Sequence, residues 1–363
     1  MIKLTPRAIA QFQQCLLGWF RNHRRELPWR ASRDPYRVWV AEVMLQQTRI
    51  AAVIPYYDRF LERFSSVESL ARARQADVLR LWSGLGYYSR ARNLHRAAKE
   101  IVAQHAGQFP RQLDAALGLP GIGRYTAAAV LSIAYDVPLA VLDGNVARVL
   151  ARLGAVRGDL RAPHRWQQLG ASAQALLARQ ASGDWNQALM ELGETVCTPH
   201  IPRCGACPVS RSCRAYAAKL TDRIPTSRKK RAAVSMQIAA AILCDPLGRT
   251  MLVREPGAHD GVLFSRMWQF PAVEVIREPE AELRQHLRAT LGISVPLLEP
   301  LASARHGVTF RNITLLPFLA CVPRIPKIAR AKILPLSGLH RLPVSSATRK
   351  IAAAATPRRN IAH

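Results

Sequence analysis

The chain is short of acid. Its 363 residues include 24 Asp and Glu against 52 Lys and Arg, a formal net charge of +28. Such an imbalance fits either a plainly basic soluble protein or one that binds nucleic acid. The excess is mostly arginine, whose planar fork suits phosphate, and it favours the second reading. Long apolar runs are also missing. None approaches the roughly 18–20 residues of a helical membrane span, so no membrane partner is expected. The first 14 residues show no apolar core followed by a cleavage site, so no secretory signal is expected. No internal repeat is visible. Cysteine is sparse, at seven residues. Three of them, Cys15, Cys244 and Cys321, are scattered and read as small apolar side chains.

The other four are clustered. Cys197, Cys204, Cys207 and Cys213 follow the pattern C-x6-C-x2-C-x5-C. Four thiols on one short loop match the ligand count of a [4Fe–4S] cluster or a structural zinc ion. A zinc ribbon usually shows two C-x2-C knuckles, whereas only Cys204 and Cys207 form one here. The uneven arms favour the larger cubane. Clustered thiols also point to a reducing compartment, hence a cytoplasmic, DNA-associated protein.

The chain is long enough for two domains. Residues 5–195 read as successive helices, with apolar side chains at intervals of three and four: Ile9, Phe12, Leu16 and Phe20, then Val38, Ala41 and Leu45. The cysteine loop closes this part, giving a first domain over 1–225. A basic stretch at 226–235 reads as a linker. Residues 236–347 have the texture of a smaller α+β domain. Strands are expected over 236–243, 250–254 and 308–322, and a helix over 278–291. The final residues, 348–363, read as a frayed basic tail.

Three motifs carry chemistry. Leu119-Pro120-Gly121-Ile122-Gly123-Arg124-Tyr125-Thr126 lies between two helical segments. Its glycines permit a tight turn and close backbone approach, and free N–H groups at the next helix start can hold an anion. This is the helix-hairpin-helix pattern, although an ordinary αα turn would look similar. Asp143 stands after an apolar run and before a helix, where it caps the helix, carries catalytic charge, or both. Glu42 sits in an almost wholly apolar helix with Val38, Ala41 and Leu45 around it. Burial there raises a carboxyl pKa and suits a general acid near neutral pH. A structural carboxylate paired with an arginine is the alternative. A protonated acid and an ionised Asp together can cleave a glycosidic bond. If the leaving group is a DNA base, it must first be drawn out of the stack, and Gln47 and Tyr87 are candidate wedges.

Together with Leu27-Pro28-Trp29-Arg30, Ala41-Glu42-Val43-Met44-Leu45-Gln46-Gln47-Thr48, Asp143-Gly144-Asn145 and the four cysteines, these segments make the chain resemble the MutY-type adenine DNA glycosylases. These belong to the wider helix-hairpin-helix superfamily that includes endonuclease III. The resemblance runs over about residues 16–350. It implies a mainly α glycosylase domain with an iron–sulfur loop, followed by a smaller α+β Nudix-like domain. It implies a monomer acting on double-stranded DNA, excising adenine opposite 8-oxoguanine or guanine. Glu42 matches the acid that protonates adenine N7. Asp143 matches the carboxylate that stabilises the sugar cation, by charge or through a transient adduct. Asn145 matches a residue that positions this chemistry. Glu191 matches a second acid on the extruded adenine, and Gln47 and Tyr87 match inserted side chains. Arg30, Thr48, Gly121 and Gly123 fall on the same DNA-facing motifs. The four cysteines match the cluster ligands.

Endonuclease III-like enzymes carry a lysine nucleophile after the Gly-x-Gly-Arg turn; here the residue is Tyr125. Base release without efficient nicking is therefore expected. In the C-terminal part, Met267-Trp268-Gln269-Phe270-Pro271 resembles a Nudix-like segment, yet the metal-holding Nudix box is missing. Recognition rather than hydrolysis is expected there. Family members read 8-oxoguanine with a Phe-Ser-His loop. Aligned on His306, this chain has Val308, Thr309 and Phe310 instead, leaving Thr309 as a hydrogen-bond donor.

The charge makes a direct prediction. Affinity for duplex DNA, measured by fluorescence anisotropy, falls by well over tenfold between about 50 and 200 mM salt. A flat titration contradicts a phosphate-based footprint.

Overall fold

A computed structural model describes residues 5–226, 232–254, 267–308 and 310–356. The chain divides into two compact units. One holds residues 1–73 and 89–229; the other holds 74–88 together with 230–363. The second unit thus recruits a short segment whose flanking sequence belongs to the first.

The first unit is helical, as its periodicity requires. It contains α1 (Pro6–His23), α2 (Pro35–Leu45), α3 (Ile50–Arg63) and α4 (Val67–Arg72). After α5 (Gln75–Trp82), which falls in the second unit, come α6 (Tyr88–Gln104), α7 (Leu113–Gly118), α8 (Arg124–Tyr135) and α9 (Gly144–Gly154). The unit ends with α10 (Pro163–Leu176), α11 (Ser182–Thr195) and α12 (Arg214–Ala217). Amphipathic α1 buries Phe12, Leu16 and Phe20, spaced by four, against Trp185, Leu189 and Val149 in one core. By contrast α2 is mostly apolar and buries eight of the nine positions from Tyr36 to Met44, Glu42 among them. Asp34 starts it by accepting from the backbone N–H groups of Tyr36 and Arg37 at 2.8 and 3.1 Å.

Two close approaches set the framework behind the site. A methyl group on Gly193 of α11 would lie 2.8 Å from Asn145 Cβ, so only glycine lets α11 lie against the start of α9. In the α7–α8 turn Gly121 has φ +76°, and a methyl there would lie 2.6 Å from Asn93 Cβ. Both demands explain glycine at these positions.

The second unit is a mixed sheet. Its strands are β1 (Val234–Cys244), β2 (Arg249–Val253), β3 (Ala272–Val275), β4 (Glu299–Pro300), β5 (Ala304–Val308), β6 (Arg311–Cys321) and β7 (Ala331–Pro335). The main path runs β4-β6-β1-β2-β7, with β3 paired to β1 and β5 to β6. Strands β1 and β6 are parallel along their whole length, from Val234 opposite Arg311 to Cys244 opposite Cys321. Alternation along β1 builds two cores. Ala239, Ala241 and Leu243 face α13 (Pro279–Leu291) through Leu283 and Leu287. Ala240 and Ile242 face α14 (Ser346–Ala355) through Ala347 and Ile351.

Helix α14 corrects the reading of 348–363 as a frayed tail over its first part. Ala347, Ile351 and Ala355 recur every four residues, and Ser345 caps the helix by accepting from Thr348 N–H at 3.0 Å. The stripe is short and alanine-rich, so composition masked it. Burial of Ile351 predicts that Ile351→Ala costs about 2–4 kcal/mol in urea unfolding of the full chain. A change within experimental error would mean the helix is not packed.

Candidate active site

The end of α2, the start of α8, the start of α9 and one face of α11 enclose a cavity of about 430 Å³. Its lining includes Arg25, Arg30, Glu42, Gln46, Gln47, Thr48, Tyr125, Asp143, Asn145 and Glu191. Residues from distant parts of the first unit thus meet as the motifs require.

Glu42 is 6% exposed. Its carboxyl, ordinarily near 4.5, is pushed up to about 7, chiefly by burial, with the Asp143 charge adding to the rise. The Tyr125 hydroxyl donates to Glu42 Oε2 at 2.8 Å and pulls the other way, as does Arg30. Tyr125 is itself held protonated, its pKa raised by burial and by the Glu42 and Asp143 charges. The sequence reading counts Tyr125 among the catalytic candidates, at the place where a lysine is missing. The fold gives it a task, which is to hold the acid.

Asp143 is the N-cap of α9, and its Oδ1 accepts from Val146 N–H at 2.7 Å. Burial lifts its pKa, while the bonds from the Val146 and Asn145 backbone and the nearby Arg148 charge oppose the rise. Capping and catalysis are compatible here, since the capping residue also lines the cavity. Asn145 Oδ1 accepts from Arg148 Nη2 at 2.9 Å. The same guanidinium donates to the Gly193 carbonyl at 2.8 Å and to the Cys197 carbonyl at 2.9 Å. One arginine therefore ties the start of α9 to α11 and to the first cysteine.

Glu191 is 1% exposed and fully engaged. Arg25 bonds both its oxygens, at 2.6 and 2.9 Å, and Arg30 adds a third contact at 2.9 Å. Burial pushes the Glu191 carboxyl up, but the Arg25 and Arg30 bonds outweigh it and hold it below the ordinary range. Within one cavity, then, one carboxyl is favoured as the acid and another as the anion.

Gln47 sits in the left-handed region with φ +56°, just past the end of α2. Arg90 fixes that turn. Its guanidinium donates to the Val43 and Met44 carbonyls at 2.8 and 2.9 Å, to the Gln46 carbonyl, and to Thr48 Oγ1 at 3.2 Å. Gln46 Nε2 in turn donates to Thr126 Oγ1 at 3.1 Å, joining the turn to α8. Sequence reasoning missed Arg25, Arg90 and Arg148. The available signal was position: Arg90 lies on the apolar stripe of α6 with Ala91, Leu94 and Ala98. Gly123 caps α8 without a side chain, and a methyl there would meet nothing within 4 Å, which leaves the backbone approachable.

Tyr87 belongs to the second unit, in a left-handed conformation with φ +48° and 40% exposed. Thr309 lies outside the described residues, while His306, Val308 and Phe310 lie on the hairpin joining β5 to β6.

The four cysteines gather after α11 and before α12. Burial first, then the charges of the other three, pushes the Cys207 thiol up to about 11. Backbone N–H groups at Val209, and at Tyr216 and Ala215, face the Cys207 and Cys213 sulfurs. Among the described residues no three His, Cys, Asp or Glu side chains close around a single-ion site. Arg152, 1% exposed, donates to the carbonyls of Cys197, Thr198, Pro199 and Ile224 and to Cys197 Sγ. Four mutually repelling thiols with N–H donors and two guanidiniums beside them fit a multi-iron anionic group.

Residues 40–171 match the family model described as HhH-GPD superfamily base excision DNA repair protein. Over that segment the chain is similar to that superfamily. It is 46% identical over 221 residues to the adenine DNA glycosylase of Mus musculus, covering 57% of this chain and 42% of the relative. It is 38% identical over 221 residues to the adenine DNA glycosylase of Buchnera aphidicola subsp. Schizaphis graminum, covering 61% and 64%. The matched segments span less than two thirds of these relatives' own length. The chain resembles the MutY-type members of the superfamily most directly through these relatives. Among solved structures it is similar to a thermostable thymine-DNA glycosylase, with TM-score 0.53, 29% identity, and 58% of this chain and 98% of that one covered. A trapped endonuclease III–DNA covalent intermediate gives TM-score 0.51 at 23% identity, covering 60% and 100%, a likeness of fold.

The raised Glu42 pKa yields a stability prediction. A carboxyl whose folded pKa exceeds its unfolded one costs the fold stability as pH rises from about 4.5 to about 7. Glu42→Gln escapes this cost. Its stability relative to the parent therefore improves between pH 5 and pH 8, by up to roughly 3 kcal/mol in urea titrations. An unchanged difference at the two pH values means that Glu42 ionises normally.

Proposed function

We propose that this chain is a DNA N-glycosylase that releases adenine mispaired with 8-oxoguanine or guanine by hydrolysis, leaving an abasic site. The observation that carries this is a buried carboxyl with a pKa near 7 sharing one cavity with a capping carboxylate. The names of the relatives point to adenine as the base. An extruded adenine enters the cavity, and protonated Glu42 delivers its proton to N7, turning the base into a better leaving group. As the glycosidic bond lengthens, positive charge grows on the sugar and Asp143 faces it. Arg148 keeps Asn145 oriented beside that carboxylate. Glu191, braced by Arg25 and Arg30, keeps a fixed negative charge at the adenine side of the cavity. Gln47, on the turn clamped by Arg90, and Tyr87 fill the stack around the vacated position. Gly121 and Gly123 bring α8's N-terminal amides toward a phosphate, and Arg30 and Thr48 complete the DNA-facing rim of the cavity.

With tyrosine rather than lysine at 125, no amine is offered to the sugar there, and strand cleavage is not part of the reaction. Residues 236–347 act as a Nudix-like recognition domain, with the β5–β6 hairpin and Thr309 addressing the opposite base. Cys197, Cys204, Cys207 and Cys213 would hold a [4Fe–4S] cluster. When bound, that cluster supplies a rigid anionic anchor for the loop. The protein works as a cytoplasmic, DNA-associated monomer.

Incubation with duplexes bearing A opposite 8-oxoguanine, A opposite G, and thymine glycol tests this reading. Adenine release, with strand breaks only after alkali, is expected from the first two. Nicking at thymine glycol would sink it. In single turnover the rate falls as pH rises through about 7, where Glu42 loses its proton. The Tyr125 bond favours the ionised acid, so Tyr125→Phe shifts that alkaline limb to higher pH; a shift to lower pH contradicts the assignment.

A further inference from the structure

The Tyr87 loop is built to a fixed shape. Its glycines, Gly84 and Gly86, take φ +113° and +74°, and the Trp82 indole N–H donates to the Gly86 carbonyl at 3.2 Å. Ser83, 2% exposed, donates its hydroxyl to the Val344 carbonyl. The Tyr88 hydroxyl donates to the same carbonyl at 3.3 Å and accepts from Gly84 N–H. Arg349 of α14 then donates to Ser83 Oγ at 2.9 Å. The next residue, Lys350, donates to the Arg305 carbonyl of β5 at 2.6 Å. Two neighbouring cations on one helix thus hold the Tyr87 loop and the strand that leads into the β5–β6 hairpin. All of these groups lie in the second unit.

We infer that Ser83 and Arg349 are positioning residues, forming a clamp through which the C-terminal unit sets the Tyr87 loop. The inserting side chain and the opposite-base hairpin then move as one body, so engagement of the opposite base is coupled to insertion into the stack. The helix α14 is the shared mount. The buried Ser83 hydroxyl is the hinge pin: it donates to the Val344 carbonyl and accepts from Arg349, and its removal leaves the guanidinium without that acceptor and the carbonyl with one donor fewer. This inference rests on the reading of Tyr87 as an inserting residue.

The test uses the full-length protein and A:8-oxoguanine duplexes with 2-aminopurine beside the mispair, whose fluorescence rises on unstacking. Single-turnover adenine release is followed in parallel. Tyr87→Ala serves as the reference for lost insertion. Ser83→Ala and Arg349→Met are each expected to cut the fluorescence rise at least threefold and to raise the half-saturating protein concentration at least fivefold. The double variant should be no worse than the more impaired single one, because both remove the same contact. Thermal melting followed for every variant separates misfolding from lost positioning; if Arg349→Met melts early, Ser83→Ala, the smaller change, decides. Wild-type-like insertion in Ser83→Ala overturns the clamp. So does a defect in Arg349→Met alone, which would assign Arg349 to direct phosphate contact. If the wild type releases no adenine, or Tyr87→Ala inserts as well as the wild type, the underlying reading fails instead.

Discussion

A carboxyl group sunk in an apolar helix resists ionisation, and the rest of the helical unit is arranged around the consequences. Glu42 sits on α2, which buries nearly its entire surface, and its pKa near 7 follows from that burial. Tyr125 moderates the rise, reaching it from the first turn of the helix that follows the hairpin. The hairpin therefore has two duties. It offers backbone amides outward, and it sends one hydroxyl inward to tune the acid. Across the cavity Glu191 meets the opposite treatment, its guanidinium partners outweighing burial, while the amide partners of Asp143 only oppose a rise that burial still carries.

Helix α9 links these charges to the cysteine loop. Its cap is Asp143, its first turn carries Asn145, and its inner face carries Arg148 and Arg152 four residues apart. Both guanidiniums end on carbonyls at or just beyond Cys197. Arginine suits this place because its five donors can satisfy several carbonyls at once, and its charge offsets clustered thiolates. The loop and the start of α9 share one set of hydrogen bonds, so disorder in the loop would loosen the Asn145 and Arg148 contacts.

The two units divide the work differently from the sequence order. Residues 74–88 run between helices of the first unit yet pack with the second. The loop they carry presents an exposed tyrosine on a rigid base, held from α14.

Local pattern decided much of this protein. Helical spacing gave α1 and α2, and side-chain type singled out Glu42, Asp143 and the four cysteines as candidates. These are properties of neighbours along the chain, where periodicity and covalent spacing speak directly. The tail was misjudged because an alanine-rich stripe carries a weak amphipathic signal until a sheet covers it. Tertiary structure alone brought Tyr125 onto Glu42, Arg25 and Arg30 onto Glu191, Arg90 onto the Gln47 turn and Arg349 onto Ser83. Those pairs are separated by as many as 266 positions, and a long arginine on a helix shows no preference among distant carbonyls until packing selects one. The sequence by itself determined which residues could carry the chemistry; only the fold decided their protonation and their partners, because both depend on burial and on charges that the chain brings together from afar.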